Sequence, residues 1–222
     1  IFKSKKWNSE HKYWGMSKAE IKNEWARSGA ENAALGTAMH ERIEFFMNRV
    51  SDATHETLIK TEIGEPSTLE WKYFLKFVSD FPELKPYRTE WMVYHEDKKL
   101  AGSIDMVYIH PDGELSIYDW KRSKDITRDN WGEYGVTNKF KNMPHSNYWH
   151  YSLQLNVYRE ILESKYGKKI KTLQLVRLHP NAVTYELIPV PKIEILNTDI
   201  VKVISEDNDD NDNDSEIVGT GK

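Results

Sequence analysis

Asp105, Asp119 and Lys121 are spaced so that the chain can gather two carboxylates and an ammonium at one point, provided that three strands lie side by side. The segments YRTEWMVYH (87–95), LAGSIDMVYI (100–109) and ELSIYDWK (114–121) are rich in apolar, β-branched and aromatic residues and are separated only by EDKK and HPDG. That pattern predicts a three-stranded antiparallel meander. Pro111-Asp112-Gly113 suits a three-residue hairpin loop, a type I turn closed by a left-handed glycine. His110 then faces Glu114, paired positions add to 224, and Asp105 lies opposite Asp119. A four-residue loop at 96–99 sets His95 against Leu100, so positions there add to 195 and Glu90 also faces Asp105.

The expectation is a row of three carboxylates on one face of adjacent strands, with cross-strand Cβ separations of about 4.5–5.5 Å. Lys121, two residues beyond Asp119, shares that face. A one-residue slip in either hairpin would turn one carboxylate to the opposite side. Like charges set opposite one another are destabilising, so the row requires compensating cations. Lys121 supplies one charge, and carboxylate oxygens suit a divalent ion such as Mg²⁺ or Mn²⁺. Asp119 also stands in apolar company (SIYDW), where an unpaired charge is costly.

The elements around the meander follow from caps and periodicity. Ser17 with Glu20 is a capping box that opens a helix over about 17–28. A second helix is expected over about 30–50 from Leu35, Met39, Ile43, Phe46 and Val50, and on it Gly36, His40 and Glu44 form a separate stripe. Ser67 with Glu70, after Pro66, opens a third helix over about 67–80. An irregular polar stretch, 122–143, precedes a long helix over about 146–165, ended by Gly167, on which Gln154 and Tyr158 share a face. Strands over about 170–179 and 183–190 and a short helix over about 192–204 complete the body. Taken singly, a D-x-K in a strand is most often a solvated face, a helical histidine a satisfied core residue, and a Gln–Tyr pair an ordinary polar boundary. Their joint occurrence, in this order, carries the argument.

The ordered set GTAMHERIE (36–44), Glu90, AGSIDMV (101–107), IYDWKRSK (117–124) and QLNVY (154–158) resembles the PD-(D/E)XK nuclease superfamily. More narrowly it is similar to the RecB-like branch, which includes CRISPR-associated and mitochondrial genome-maintenance exonucleases. YWGMSKAEIKNEWARSGAENAALGTAMH also looks like versions found in large DNA viruses and phages. The resemblance covers about residues 13–165 and implies that Asp105 and Asp119 bind one or two Mg²⁺ or Mn²⁺ ions, with the Trp120 backbone carbonyl as a further ligand. It implies that His40 reaches the same ion, that Glu90 is an extra acidic ligand, and that Lys121 orients or deprotonates the attacking water. Gln154 and Tyr158 would brace the site or touch the DNA backbone. The proline that names the family is Ile104 here, as is common in RecB-like members. Gly36, a turn before His40, would let its helix approach the sheet closely.

Composition bounds the partners. The chain of 222 residues has no cysteine, which excludes disulfides, thiolate chemistry and Cys-ligated metal centres and fits a reducing, intracellular compartment. The net charge of −4 is uneven: residues 205–222 hold seven acids and one lysine, which leaves the body at +2. Residues 1–14, with Lys3, Lys5, Lys6 and Lys12 among Trp7, Tyr13 and Trp14, suit a nucleic-acid strand or an aromatic-packed arm equally. Arg122, Lys124, Arg128, Lys139 and Lys141 are candidates for contact with phosphates, and Trp131, Tyr134, Tyr148 and Trp149 for stacking on unpaired bases. No run of about 18 apolar residues exists to span a bilayer, so a soluble protein without a membrane partner is expected. The first residue is Ile, which suggests that the sequence begins inside a longer chain.

The sequence therefore predicts an α/β nuclease core with a mixed central sheet, led by the antiparallel meander and flanked by the His40 and Gln154 helices. Residues 1–14 would be an N-terminal arm, 15–204 the nuclease domain and 205–222 a disordered acidic tail. The expected activity is metal-dependent DNA hydrolysis, exonucleolytic, in repair, recombination or replication processing. The alternatives are a structure-specific or RNA-cleaving endonuclease and an inactive nucleic-acid-binding scaffold.

Overall fold

The computed structural model describes residues 7–50, 55–62, 68–129, 132, 134–135 and 140–195. Lys3, Lys5, Lys6, Pro66, Ser67, Trp131, Lys139, most of the proposed 192–204 helix and the acidic tail lie outside the described residues.

The capping box at Ser17 forms as expected, with Glu20 N–H donating to Ser17 Oγ and Ser17 N–H donating to Glu20 Oε2. It opens α1 (Lys18–Asn48), which runs without a break where two helices were expected. Gly29 is an isolated glycine among good helix formers. Its cost of about 1 kcal/mol relative to alanine does not end a helix when no proline or left-handed residue follows. A helix that the sequence reading did not foresee, α2 (His55–Glu62), follows, then α3 (Leu69–Asp80), whose N-cap is Thr68 accepting from Trp71 N–H.

The meander is present as β1 (Lys85–His95), β2 (Leu100–Ile109) and β3 (Leu115–Lys121). Gly113 has φ +81° and its N–H donates to His110 O, while His110 N–H donates to Glu114 O, so the three-residue hairpin forms as read. Pairs such as Met106–Tyr118 add to 224 and pairs such as His95–Leu100 add to 195, the expected registers, with a bulge between Pro86 and Arg88. Helix α4 (Asn147–Ser164) then crosses over, and β4 (Ile170–Arg177) returns parallel to β3. Finally β5 (Glu186–Val190) pairs antiparallel with β4, giving one mixed sheet in the order β1-β2-β3-β4-β5. This is the expected α/β architecture of a mixed sheet between helices. Among the described residues no helix is long and apolar enough to cross a membrane.

Each face of the sheet has its own core. On one face, Val93, Leu100, Ile104 and Ile117 pack with Leu155, Tyr158 and Ile161 of α4. On the other, Met106, Tyr108, Tyr118 and Trp120 pack with Ile43 and Phe46 of α1 and with Trp71, Phe74 and Phe77 of α3. Alternate residues of a strand normally share a face. Here Ile104 and Met106 fall on opposite faces. Their partners divide in the same way: Thr89 hydrogen bonds Asn48 of α1, whereas Trp91 packs against the α4-side core. The alternation is inverted at one pair of positions, Glu90 and Asp105, and Glu90 has a left-handed φ of +40°. A non-glycine residue held there costs on the order of 1–3 kcal/mol, and such strain gathers at functional sites.

Candidate metal centre

The inversion brings Glu90 and Asp105 to His40 of α1. His40 Nδ1 lies 3.6 Å from Asp105 Oδ2 and 3.9 Å from Glu90 Oε1. Among the described residues, these three are the group whose possible metal-ligand atoms all lie within 4.8 Å of one another. The other ring nitrogen, His40 Nε2, is 2.9 Å from Trp120 O. A carbonyl only accepts, so Nε2 carries the hydrogen, and a neutral ring then turns the Nδ1 lone pair towards the carboxylates. Trp120 O, which the resemblance makes a metal ligand, accepts this hydrogen with one of its two lone pairs.

Trp120 anchors the site through its whole peptide group. Its N–H donates to Asp105 Oδ2 at 2.9 Å. Regular β2–β3 pairing ends at Met106–Tyr118, and beyond that point the Asp105 side chain takes a backbone hydrogen bond that a strand partner would otherwise make. The indole is buried with the rings of Phe74 and Phe77, each 5.5 Å away and nearly perpendicular to it. The aromatic core of α3 therefore holds the backbone against which His40 and Asp105 are set. Glu90 is fixed by Ser103, whose hydroxyl donates to Glu90 Oε2 at 3.0 Å.

Asp119 and Lys121 project to the α4 side of the sheet. Asp119 Oδ2 is buried, lies 2.9 Å from Lys121 Nζ, and has no other polar partner among the described residues. The expected row of three carboxylates on one face is therefore split: Glu90 and Asp105 group with His40, and Asp119 groups with Lys121. The inverted alternation at Glu90 and Asp105, which a period-2 reading cannot contain, is the reason.

Electrostatics ties the two groups together. Burial and the neighbouring Asp119 charge push the Asp105 carboxyl up to about 7. Burial pulls His40 down, but the Glu90 contact and the charges of Asp105 and Asp119 outweigh it and raise its pKa. The His40 contact holds Glu90 below the usual carboxylate range against the opposing effect of burial. Burial lowers Lys121, yet the Asp119 and Asp105 charges raise it further, so it stays an ammonium. The centre carries more acid than its own cations compensate. One imidazole nitrogen and oxygen-rich carboxylates, including a buried carboxylate oxygen beside a lone lysine, are donors that fit a hard divalent cation.

On α4, Gln154 Nε2 donates to Tyr158 OH at 3.0 Å. Burial, then the Asp119 charge, push the Tyr158 phenol up to about 12, so it remains protonated beside the acids. The Tyr158 ring rests on Gly102: a Cβ added there would meet Tyr158 Cε1 at 2.5 Å. The glycine three residues before Asp105 is required by this ring. Gly36 has no such role, because a Cβ at that position would meet nothing within 4 Å. The helix does not need it to approach the sheet, contrary to expectation.

Arg122 and Lys124 are two of the expected phosphate contacts. Arg122 is instead 11% exposed, donating from Nε to Glu70 of α3 at 2.7 Å and from NH1 to Asn32 of α1 at 3.2 Å. It clamps two helices to the end of β3. The Lys124 side chain is exposed, and its carbonyl, with that of Ser123, accepts from Arg177, which also pairs with Glu186. Of the other candidates, Tyr134 and Lys141 are exposed, and Arg128 lies over the Tyr148 ring at 4.3 Å. Tyr148 is buried with its hydroxyl on Pro189 O, and Trp149 packs against the core, so neither ring is laid open to a base.

The sequence matches the family model of the PD-(D/E)XK nuclease superfamily over residues 12–218. No curated protein sequence matches it. Among solved structures it is similar to the crystal structure of a repair endonuclease from Pyrococcus abyssi, at 16% identity and a TM-score of 0.29, over 53% of this chain and 42% of that one. The chain thus covers less than half the length of that structure.

Proposed function

The chain belongs to the PD-(D/E)XK nuclease superfamily, a family of nucleases that use divalent metal ions, and from that premise we propose a Mg²⁺- or Mn²⁺-dependent exodeoxyribonuclease of the RecB-like branch. The observation that carries this reading is the convergence of His40, Glu90 and Asp105 within 4.8 Å of one another, next to the buried Asp119–Lys121 pair. We assign the nuclease domain to residues 15–204, with an N-terminal arm before it and an acidic tail over 205–222.

In this reading Asp105, Asp119, Glu90 and His40 Nδ1 hold the ion. A bound divalent ion would supply an activated water and charge neutralisation at the scissile phosphate. The protein's own groups do the rest. Trp120 O keeps the hydrogen on His40 Nε2, so the ring presents a lone pair from Nδ1. Trp120 N–H holds one Asp105 oxygen in place. Lys121, kept protonated by its carboxylate neighbours, acts as a fixed positive charge towards the phosphate and orients the attacking water. That charge state favours orientation over deprotonation, one of the two roles considered for this lysine. Tyr158, protonated and braced by Gln154, closes the α4 side of the site.

The test is cleavage of end-labelled linear DNA, single- and double-stranded, beside covalently closed circles, with Mg²⁺ or Mn²⁺. Release of mononucleotides or short products from linear DNA alone, abolished by EDTA and by Asp119→Ala, is the expected result. Cleavage of closed circles would replace the exonuclease with an endonuclease. DNA or RNA binding without metal-dependent cleavage would replace it with an inactive scaffold.

A further inference from the structure

Lys121 ends β3, and its side chain meets two groups of opposite character. Nζ lies 2.9 Å from Asp119 Oδ2 and 4.6 Å from the centre of the Tyr151 ring on α4. We propose that Tyr151 is a positioning residue for the nucleolytic reaction, its ring face holding the Lys121 ammonium where it meets the substrate phosphate. This rests on the nuclease reading above and adds to it a residue that no motif marks.

The argument is geometric. A lysine ammonium sits on a flexible four-carbon stem, and a single carboxylate neighbour restrains it on one side only. The aromatic face supplies a second restraint. Its attraction comes from the ring quadrupole, so it accepts no directional hydrogen bond and leaves the ammonium's donors available for water or phosphate. The lysine side chain is 19% exposed, and such contacts are stronger when shielded from water. Tyr151 stands seven residues before Tyr158, two turns away on the same face of α4. That one face therefore meets the sheet twice, at Lys121 through Tyr151 and at Gly102 through Tyr158.

The experiment uses the full chain with Mn²⁺ and end-labelled linear DNA, and replaces Tyr151 by phenylalanine, by mono-, di- and trifluorophenylalanine, and by leucine. Phenylalanine keeps the ring face and is expected to retain kcat within about threefold. Tyr151→Leu is expected to lower kcat by about tenfold with KM nearly constant. Fluorination preserves shape but drains the ring face of electron density, so kcat should fall stepwise along the series. In the NMR spectrum the Lys121 side-chain resonances should show a ring-current shift that Tyr151→Leu removes. A trifluorinated variant as active as the phenylalanine one overturns the proposal, because a ring that merely fills space is indifferent to fluorine. An active wild type with no ring-current shift overturns it as well. A wild type that cleaves no DNA overturns the nuclease reading, and Tyr151's role with it, a result distinct from the other two.

Discussion

The two faces of the sheet present their acids in opposite ways. On the α1 side, Glu90 and Asp105 meet an imidazole that a backbone carbonyl holds in one orientation, and the group's own positive charge falls short of its acid. On the α4 side, Asp119 meets an ammonium that an aromatic ring holds, and the pair is nearly neutral by itself. The first arrangement seeks an external cation, and the second delivers a fixed one. The proposed nuclease reaction would use both, and the inversion of strand alternation at Glu90 and Asp105 sets them on different faces of neighbouring strands.

That comparison can be broken most severely at Asp105. Asp105→Asn should lower cleavage by about a thousandfold and weaken Mn²⁺ binding measured by calorimetry, since it removes a ligand and leaves the Trp120 N–H bond intact. Lys121→Met should lower cleavage by about a hundredfold while Mn²⁺ binds at least as tightly, because a cation beside the site is gone. Equal losses of metal affinity in both variants would erase the distinction between the faces.

Gly102→Ala sharpens the comparison within the α4 side. The added methyl should displace the Tyr158 ring and lower activity by about tenfold, with a thermal midpoint only a few degrees lower. Combined with Tyr158→Leu, it should cost little more than Tyr158→Leu alone in a double-mutant cycle on stability, and additive losses would refute the contact.

The smallest expected effect lies at the clamp beneath the α1 side. Burial raises Glu70, but its own backbone hydrogen bond, Arg122 and Thr68 more than offset this and hold its pKa below the ordinary 4.5. A depressed folded-state pKa means that its contribution is fully present above the unfolded value and is lost as pH falls through the folded one. Glu70→Gln should therefore reduce stability to urea by about 1–2 kcal/mol at pH 7 and make stability less dependent on pH below about 4.5.

Much of this is legible in the sequence alone. Both hairpin registers follow from loop lengths and from one glycine, because a short turn leaves a meander little choice of pairing. The capping box at Ser17 marks the start of α1 for the same local reason. Other features were hidden because their causes are distant in sequence. Nothing in Thr89-Glu90-Trp91 signals a left-handed residue, since the strain is sustained by packing on both faces. Arg122 reads as a free cation beside D-x-K, yet its partner Glu70 stands 52 residues away. Gly36 reads as a close-packing glycine, yet it faces open space, and Gly102, which does carry a close approach, reads only as part of the AGSIDMV motif.

By itself the sequence determined the kinds of groups present, their order, and the registers of the two hairpins. Those depend on local turn chemistry and alternation, which a single chain carries in full. Only the tertiary structure decided which acids share a face, which nitrogen of His40 meets them, and which ring lies against Lys121. Those choices depend on two cores pressing on one sheet from opposite sides. A backbone inversion at Glu90 and a tyrosine on a helix 30 residues beyond Lys121 have no local signature to read.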